Sequence, residues 1–187
     1  NPFEEIQHIN DDGLGGYTFV FNNAFEATTT STPLASNQDA FERALETWRC
    51  ATRINWKTSS TTTTTSTNAE DRENIVIFGS LGPYSYGSSL ACSYLYFSDS
   101  LCSGTDWYLT EADIIFNSAF AGWFHTDTTM PTGTFDFESA ALHTLGYAHL
   151  LSNTRDISDP MFASLTAGSI SRELVQNNID GGTYVRN

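Results

Sequence analysis

The chain has 187 residues, of which 40% are hydrophobic and 13% aromatic. This length and composition fit a single domain over residues 1–187 with a substantial core and argue against a disordered chain. The 8 basic and 22 acidic residues give a net charge of −14, which makes nucleic acid and anionic lipid surfaces poor partners. No apolar run approaches the roughly 20 residues of a membrane span, so no span is predicted.

The first predicted elements are a strand and a helix. The segment "YTFVFN" (17–22) alternates aromatic and smaller residues, as a strand does. A helix is predicted from Asn37, because apolar residues then recur at i, i+3, i+4 and i+7, and Ser36 or Asn37 can cap its start. The apolar residues of this stripe are Phe41, Ala44, Leu45 and Trp48.

The middle of the chain predicts further strands. "INWK" (54–57) is a short strand, and the low-complexity run at 58–74 has nothing to bury, so an exposed loop is expected there. "NIVIFG" (74–79) is typical of a buried strand. "LACSYLYF" (90–97) alternates again, and "EADIIFN" (111–117) is a further strand.

Two helices follow. Asp136 can cap the first of them, and Glu138 lies in the first turn, where the helix dipole favours a negative charge. "SISRELVQNN" (169–178) predicts a last helix that ends at Gly181 and Gly182. This order of elements predicts one mixed sheet with helices packed on it, in the α+β class.

Several of these segments carry a family resemblance. "FDFESAALHTLGYAH" (135–149) resembles the active-site helix of the metzincin zinc endopeptidases, whose motif is HExxHxxGxxH, and "DISDPMF" (156–162) resembles their methionine turn, with Met161 as its methionine. The whole order of elements is similar to a matrixin-type catalytic domain of that family. The resemblance implies a mixed, mostly parallel twisted sheet with an active-site helix, a methionine turn beneath residues 143 and 147, and a C-terminal helix. It also implies that "LACSYLYF" is the edge strand that pairs with substrate, through Leu90, Ala91, Cys92, Ser93 and Tyr94.

The motif itself departs from the family pattern. His143 occupies the first zinc-ligand position, but Tyr147 and Asn153 occupy the second and third. Thr144 stands at the position of the general-base glutamate, and Leu150 at that of the motif glycine.

These departures remove the general base and two of the three zinc ligands. A threonine hydroxyl is not a base near neutral pH, and a neutral phenol and an amide oxygen are weak zinc ligands. Replacing two good ligands is expected to weaken zinc binding by about 4 orders of magnitude. The sequence as written therefore predicts no catalytic zinc and no other resident cofactor.

Three functions are open at this point. The favoured one is a secreted pseudo-peptidase that binds a peptide or protein partner in the ancestral cleft by strand addition. The second is an active zinc-dependent endopeptidase whose sequence is mutated or misread at the metal site. The third is a structural subunit of a surface assembly that uses the fold as a scaffold.

The three cysteines leave two interpretations. Cys92 and Cys102 bracket a span short enough to close into a disulfide, with Cys50 as a buried thiol. The alternative is three buried free thiols. A disulfide, with a composition rich in Thr, Ser, Asn and Tyr and poor in Lys, favours a secreted or extracellular location.

Two weaker metal hypotheses remain. Asp99 and Asp106 lie in a segment where the resembled family often binds calcium in loops, although two carboxylates are no ligand pattern. His125 is expected to be a surface histidine, with a cation site shared with Asp127 as the alternative.

Overall fold

The structure, a computed structural model, describes seven stretches of the chain: 16–25, 36–65, 69–81, 89–99, 107–120, 122–125 and 129–186. Five strands form the main sheet: β1 (Thr18–Asn22), β2 (Lys57–Thr63), β3 (Asn74–Gly79), β4 (Ala91–Asp99) and β5 (Trp107–Asn117). A second, two-stranded sheet pairs β6 (Trp123–Phe124) with β7 (Phe135–Asp136). The helices are α1 (Asn37–Thr52), α2 (Phe137–Ala148) and α3 (Gln176–Arg186).

The main sheet is mostly parallel. Its strand order is β2-β1-β3-β5-β4. All neighbouring strands run parallel except β4, which is antiparallel to β5 and forms one edge. The α+β class and the mixed, mostly parallel sheet predicted from the sequence are thus confirmed. Within the described residues, no helix is long and apolar enough to cross a membrane.

The Thr-rich run corrects one sequence prediction. Residues 58–63 belong to β2 and pair in parallel with β1 at the other edge of the sheet, where an exposed loop was expected. An edge strand needs backbone pairing on only one side, and β-branched threonine suits extended backbone. The missing apolar pattern reflects exposed side chains rather than a missing strand.

The central strands β3 and β5 are buried on both faces of the sheet, and side chains alternate between the faces along each strand. On the helix-covered face, Phe19, Ile114 and Phe116 join the large core that α1 and α2 complete. On the opposite face, a smaller cluster is built on Ile77 and Ile115. This smaller cluster contains Ile75, Ile77, Leu81 and Ile115, with Cys92 and Tyr94 packed against it.

Helix α1 begins where its capping signal predicts. The Ser36 hydroxyl accepts from the Asp39 N–H at 2.9 Å, and the Asp39 carboxylate accepts from the Ser36 N–H, which makes a capping box. The helix then packs on α2, where the indole N–H of Trp48 donates to the Leu142 carbonyl at 2.9 Å. The predicted start and apolar stripe of α1 are confirmed.

Helix α3 corrects a second prediction. It begins at Gln176, whereas the prediction began at residue 169, and it runs through Gly181 and Gly182 instead of ending before them. A Cβ on Gly182 would stand 2.8 Å from Thr52 Cγ2 and 3.0 Å from His149 Nε2, and one on Gly181 would stand 2.9 Å from a Leu151 methyl carbon. The two glycines therefore allow α3 to lie close to its neighbours, a tertiary requirement that sequence reasoning mistook for a stop signal.

Candidate functional site

The candidate site lies on α2, whose start is firmly held. The Asp136 carboxylate caps the helix by accepting from the Ser139 N–H at 2.9 Å. Arg172 donates to both oxygens of the same carboxylate, at 2.5 and 2.8 Å. This bidentate pair fixes the N-terminus of α2, so the residues about two turns later have a defined direction.

His143 and Tyr147 lie together on the exposed side of α2. They are four residues apart, which places them on one helix face. Their ring centroids are 4.8 Å apart, and the planes are nearly perpendicular at 88°. The first two ligand positions of the resembled motif therefore meet in space.

The chain turns sharply after α2 and brings the third position back. Leu150 has a left-handed backbone with φ 60°, and the Leu151 N–H donates to the Gly146 carbonyl at 2.9 Å. This is the turn that a glycine makes easily and that a leucine makes under strain. After it, the Tyr147 hydroxyl donates to Asn153 Oδ1 at 2.5 Å.

One ring nitrogen of His143 forms a hydrogen bond within the protein. His143 Nδ1 lies 2.8 Å from the Pro160 carbonyl oxygen, which can only accept, so Nδ1 carries the proton. Burial lowers the pKa of His143, although the Pro160 hydrogen bond and the Asp159 carboxylate oppose the shift. The ring is therefore neutral near pH 7 and presents Nε2 as an acceptor.

Met161 packs against α2 at Gly146. Its side chain is buried, and a Cβ on Gly146 would meet the Met161 sulfur at 2.2 Å. The turn is closed by the Met161 N–H, which donates to Asp159 Oδ1 at 2.7 Å. The Thr154 N–H donates to the Met161 carbonyl at 2.9 Å and ties the turn to the segment that carries Asn153.

Thr144 points away from the site. It is buried, and its hydroxyl donates to the Ala140 carbonyl one turn earlier at 2.6 Å. A hydroxyl held by its own helix and shielded from solvent can neither activate water nor contact a ligand.

Strand β4 contacts α2 next to the site. The Ser93 hydroxyl donates to the Thr144 carbonyl at 3.0 Å, so the strand contacts α2 at the residue that follows His143. The Leu90 carbonyl accepts from the Asn117 N–H, and backbone groups alternate sides along a strand. The main-chain groups of Ala91, Ser93 and Leu95 therefore face away from β5, and no described strand pairs with that edge.

Cys92 does not form the predicted disulfide in the structure. This residue is a free thiol in the structure, and its side chain packs against the smaller core cluster on the face of the sheet opposite the helices. Burial raises its pKa, with an opposing hydrogen bond from Tyr94. Cys102, the predicted partner, lies outside the described residues. Cys50, expected to be a buried thiol, is exposed on α1 beside Glu46.

The chemistry of the three ligand positions does not fit zinc. Only His143 supplies a good ligand, and burial raises the pKa of the Tyr147 phenol, which must lose its proton to bind a metal well. The Asn153 oxygen already accepts from that phenol. Across the stretches that the structure describes, no group of three or more His, Cys, Asp or Glu residues is arranged to hold a metal ion.

The two other described histidines, His149 and His125, are buried. His149 is buried between Trp48 and Trp56, with ring centroids at 5.2 and 5.0 Å. His125, expected at the surface, is also buried, and its Nε2 lies 2.5 Å from Asn37 Oδ1. Burial lowers the pKa of each to about 4.

The two alternative cation sites gain no further observation. His125 faces Asn37, and Asp127, its predicted partner in a cation site, lies outside the described residues. Asp99 ends β4, whereas Asp106 also lies outside the described residues.

Sequence reasoning missed contacts that only the fold creates. The Pro160 carbonyl orients His143, and the Ser93 hydroxyl ties β4 to α2. Neither contact has a sequence signal, since each joins residues that are distant along the chain.

No family model matches this chain, and a comparison with curated proteins found no match either.

Proposed function

We propose that this chain is a secreted, metzincin-like pseudo-peptidase that binds an extended peptide or protein segment without cleaving it. The observation that carries the proposal is the hydrogen bond of 2.5 Å between Tyr147 Oη and Asn153 Oδ1. The side chains at the second and third ligand positions bind each other instead of standing ready for a metal ion. The geometry around an ancestral motif is kept, while the chemistry of the motif is replaced.

The matrixin-type fold is part of the proposal. It is supported by the mostly parallel sheet, the antiparallel edge strand β4, and the turn at Met161 packed under α2. The left-handed backbone of Leu150, at the position of the motif glycine, supports it further. A strained conformation at this position is expected if the turn is older than the residue that now makes it.

The absence of hydrolysis follows from two side chains. Thr144, at the general-base position, is buried, and its hydroxyl is hydrogen-bonded to the Ala140 carbonyl. This position therefore supplies no carboxylate that could take a proton from water. His143 alone cannot hold zinc against water and buffer ligands. The cleft is left with polar groups suited to binding.

Binding is proposed to use the outer edge of β4. The main-chain groups of Ala91, Ser93 and Leu95 face outward there, and an extended segment can pair with them as an added strand. The Ser93–Thr144 hydrogen bond holds this edge beside α2. A bound segment would therefore run past His143.

The test combines metal analysis, cleavage and binding on the purified chain. After dialysis against zinc and then metal-free buffer, we expect well below one zinc per chain and no hydrolysis of a peptide library. We expect blocked hexapeptides from a defined library to bind, with affinity reduced at least tenfold by Ala91→Pro, which removes one outward N–H without breaking the β4–β5 ladder. Stoichiometric zinc with hydrolysis would overturn the proposal, and so would an absence of peptide binding.

A further inference from the structure

The side chains around His143 present a defined set of hydrogen-bonding groups. Because Nδ1 donates to the Pro160 carbonyl and the ring is neutral, Nε2 is an acceptor. Within the described residues, no hydrogen bond to Nε2 is found. The site thus offers one acceptor whose tautomer is fixed by the fold.

Asn153 supplies the complementary donor. Its Oδ1 accepts from Tyr147, so its NH2 group is turned elsewhere, and the residue is exposed. Among the described residues, none accepts a hydrogen bond from this NH2 group. Tyr147 links the two, because its ring contacts His143 and its hydroxyl orients the Asn153 amide.

The charge of this set selects the ligand. A neutral imidazole acceptor and an amide donor carry no net charge, and a chain with a net charge of −14 repels carboxylates and phosphates. The complement of one acceptor and one donor is a neutral group with an N–H and a C=O side by side. The N–H and C=O of a single residue in an extended peptide point to the same side and have this arrangement.

The geometry points to a metal-free amide clamp: His143 Nε2 accepts the N–H, and the Asn153 NH2 group donates to the C=O, of one residue in a peptide bound along β4. This inference rests on the proposed peptide-binding function. A peptide residue between two that pair with β4 directs its main-chain groups away from β4, which leaves them available to the clamp. His143 and Asn153, which occupy positions of the resembled metal ligands, would then bind only main-chain groups of the peptide. The clamp would therefore tolerate different peptide side chains.

The test uses the tightest binder from the library of acetylated, amidated hexapeptides, with EDTA present throughout. Asn153→Asp keeps the oxygen that accepts from Tyr147, replaces the NH2 donor with a second oxygen and adds one negative charge. We expect this variant to bind about tenfold more weakly, as for the loss of one buried hydrogen bond. Asn177→Asp, which adds the same charge at an exposed position on α3, is the matched control and should bind like the wild type.

The second arm removes peptide N–H groups one at a time by N-methylation. We expect one residue, between two that pair with β4, whose methylation weakens binding to the wild type about tenfold but has little effect on His143→Phe, which keeps the ring contact with Tyr147. Equal effects on both proteins, or unchanged binding by Asn153→Asp, would overturn the clamp. If those results came with binding that Ala91→Pro still weakens, only the clamp would fail. If no peptide bound at all, the proposed function would fail with it.

Discussion

The sulfur of Met161 fills the space that a side chain on Gly146 would occupy, since a Cβ there would lie 2.2 Å from it. Gly146→Ala should therefore destabilise the protein by about 1–3 kcal/mol, even though alanine is the better helix former. Urea unfolding measures this loss. Gly122→Ala is the matched control, because its Cβ would have no neighbour closer than 3.6 Å. Met161→Ala should relieve the clash, and a strictly additive double variant would contradict the contact.

The backbone at Leu150 predicts a stabilising substitution. Its left-handed φ of 60° costs about 1 kcal/mol or more for a residue with a Cβ, and the side chain is 42% exposed, so little burial is lost on its removal. Leu150→Gly should raise the free energy of unfolding by about 1 kcal/mol, measured by urea or thermal unfolding. Leu150→Ala keeps the Cβ and should show no such gain. A loss of stability in the glycine variant would indicate that the leucine side chain matters more than the strain.

Two histidine substitutions at positions 147 and 153 should create a zinc site. The Pro160 carbonyl already orients His143, and the hydroxyl of Tyr147 already reaches Asn153, so the double variant Tyr147→His/Asn153→His should bind one zinc per chain. The affinity should rise by several orders of magnitude over the wild type. Elemental analysis after dialysis measures the stoichiometry, and Tyr147→Phe/Asn153→Ala serves as a control that breaks the same hydrogen bond without adding ligands. Failure of the double-histidine variant to bind zinc would show that the three positions do not converge as required.

Acid should destabilise the fold through its buried histidines. His149 has a pKa of about 4 when folded, below the 6.5 of a solvated histidine. Between these values the unfolded state binds more protons, so stability falls as the pH falls from about 6.5 to about 4, by on the order of 3 kcal/mol for one such group. His149→Gln should make this slope shallower, and so should His125→Gln, whose pKa is lowered to about the same value. Urea unfolding at several pH values tests this, and an unchanged slope in both variants would contradict it.

A buried carboxyl group predicts the opposite pH dependence. Burial raises the pKa of Asp113 to about 8, although backbone N–H groups of Ile75 and Ala69 oppose the shift. Between about 3.8 and 8 the folded state binds more protons, so this group removes stability as the pH rises. Asp113→Asn should raise the free energy of unfolding at pH 8 by about 1–3 kcal/mol, because it removes the ionisation and keeps the oxygen that accepts from the Ile75 N–H at 3.1 Å. Glu173→Gln, an exposed carboxyl-to-amide change, is the control and should have little effect.

Sequence reasoning succeeded where the signal is local. The start of α1 follows from Ser36, one of its two predicted caps, and the cap of α2 follows from Asp136, because each side chain accepts from an N–H three positions later. The strands β1 and β3 are equally well predicted, since their apolar residues alternate or run continuously as buried strands require. Such patterns depend on the backbone geometry of a single element.

The errors lie where a distant part of the chain decides. Gly181 and Gly182 are local helix breakers, but their contacts with Leu151, Thr52 and His149 make them packing residues inside α3. The burial of His125 depends on Asn37, which lies 88 residues away. No pattern within either segment contains this information.

The site was predicted in part for the same reason. The helical spacing of residues 143 and 147 follows from the sequence alone, and the structure joins Tyr147 to Asn153 as well. The carbonyl of Pro160, which fixes the tautomer of His143, is a main-chain group, and residue identity says little about its direction. The least predictable element of the site is thus the one that determines its hydrogen-bonding character.

The threonine-rich strand β2 has a consequence for how molecules of this protein meet one another. A second copy aligning with that margin of the sheet would gain main-chain hydrogen bonds but little apolar contact, because most side chains there are polar and solvated. Self-association into extended sheets through β2 therefore gains little stabilisation. The opposite edge, formed by β4, differs in composition, because its Ala91 and Leu95 are apolar, partly buried and packed against the core.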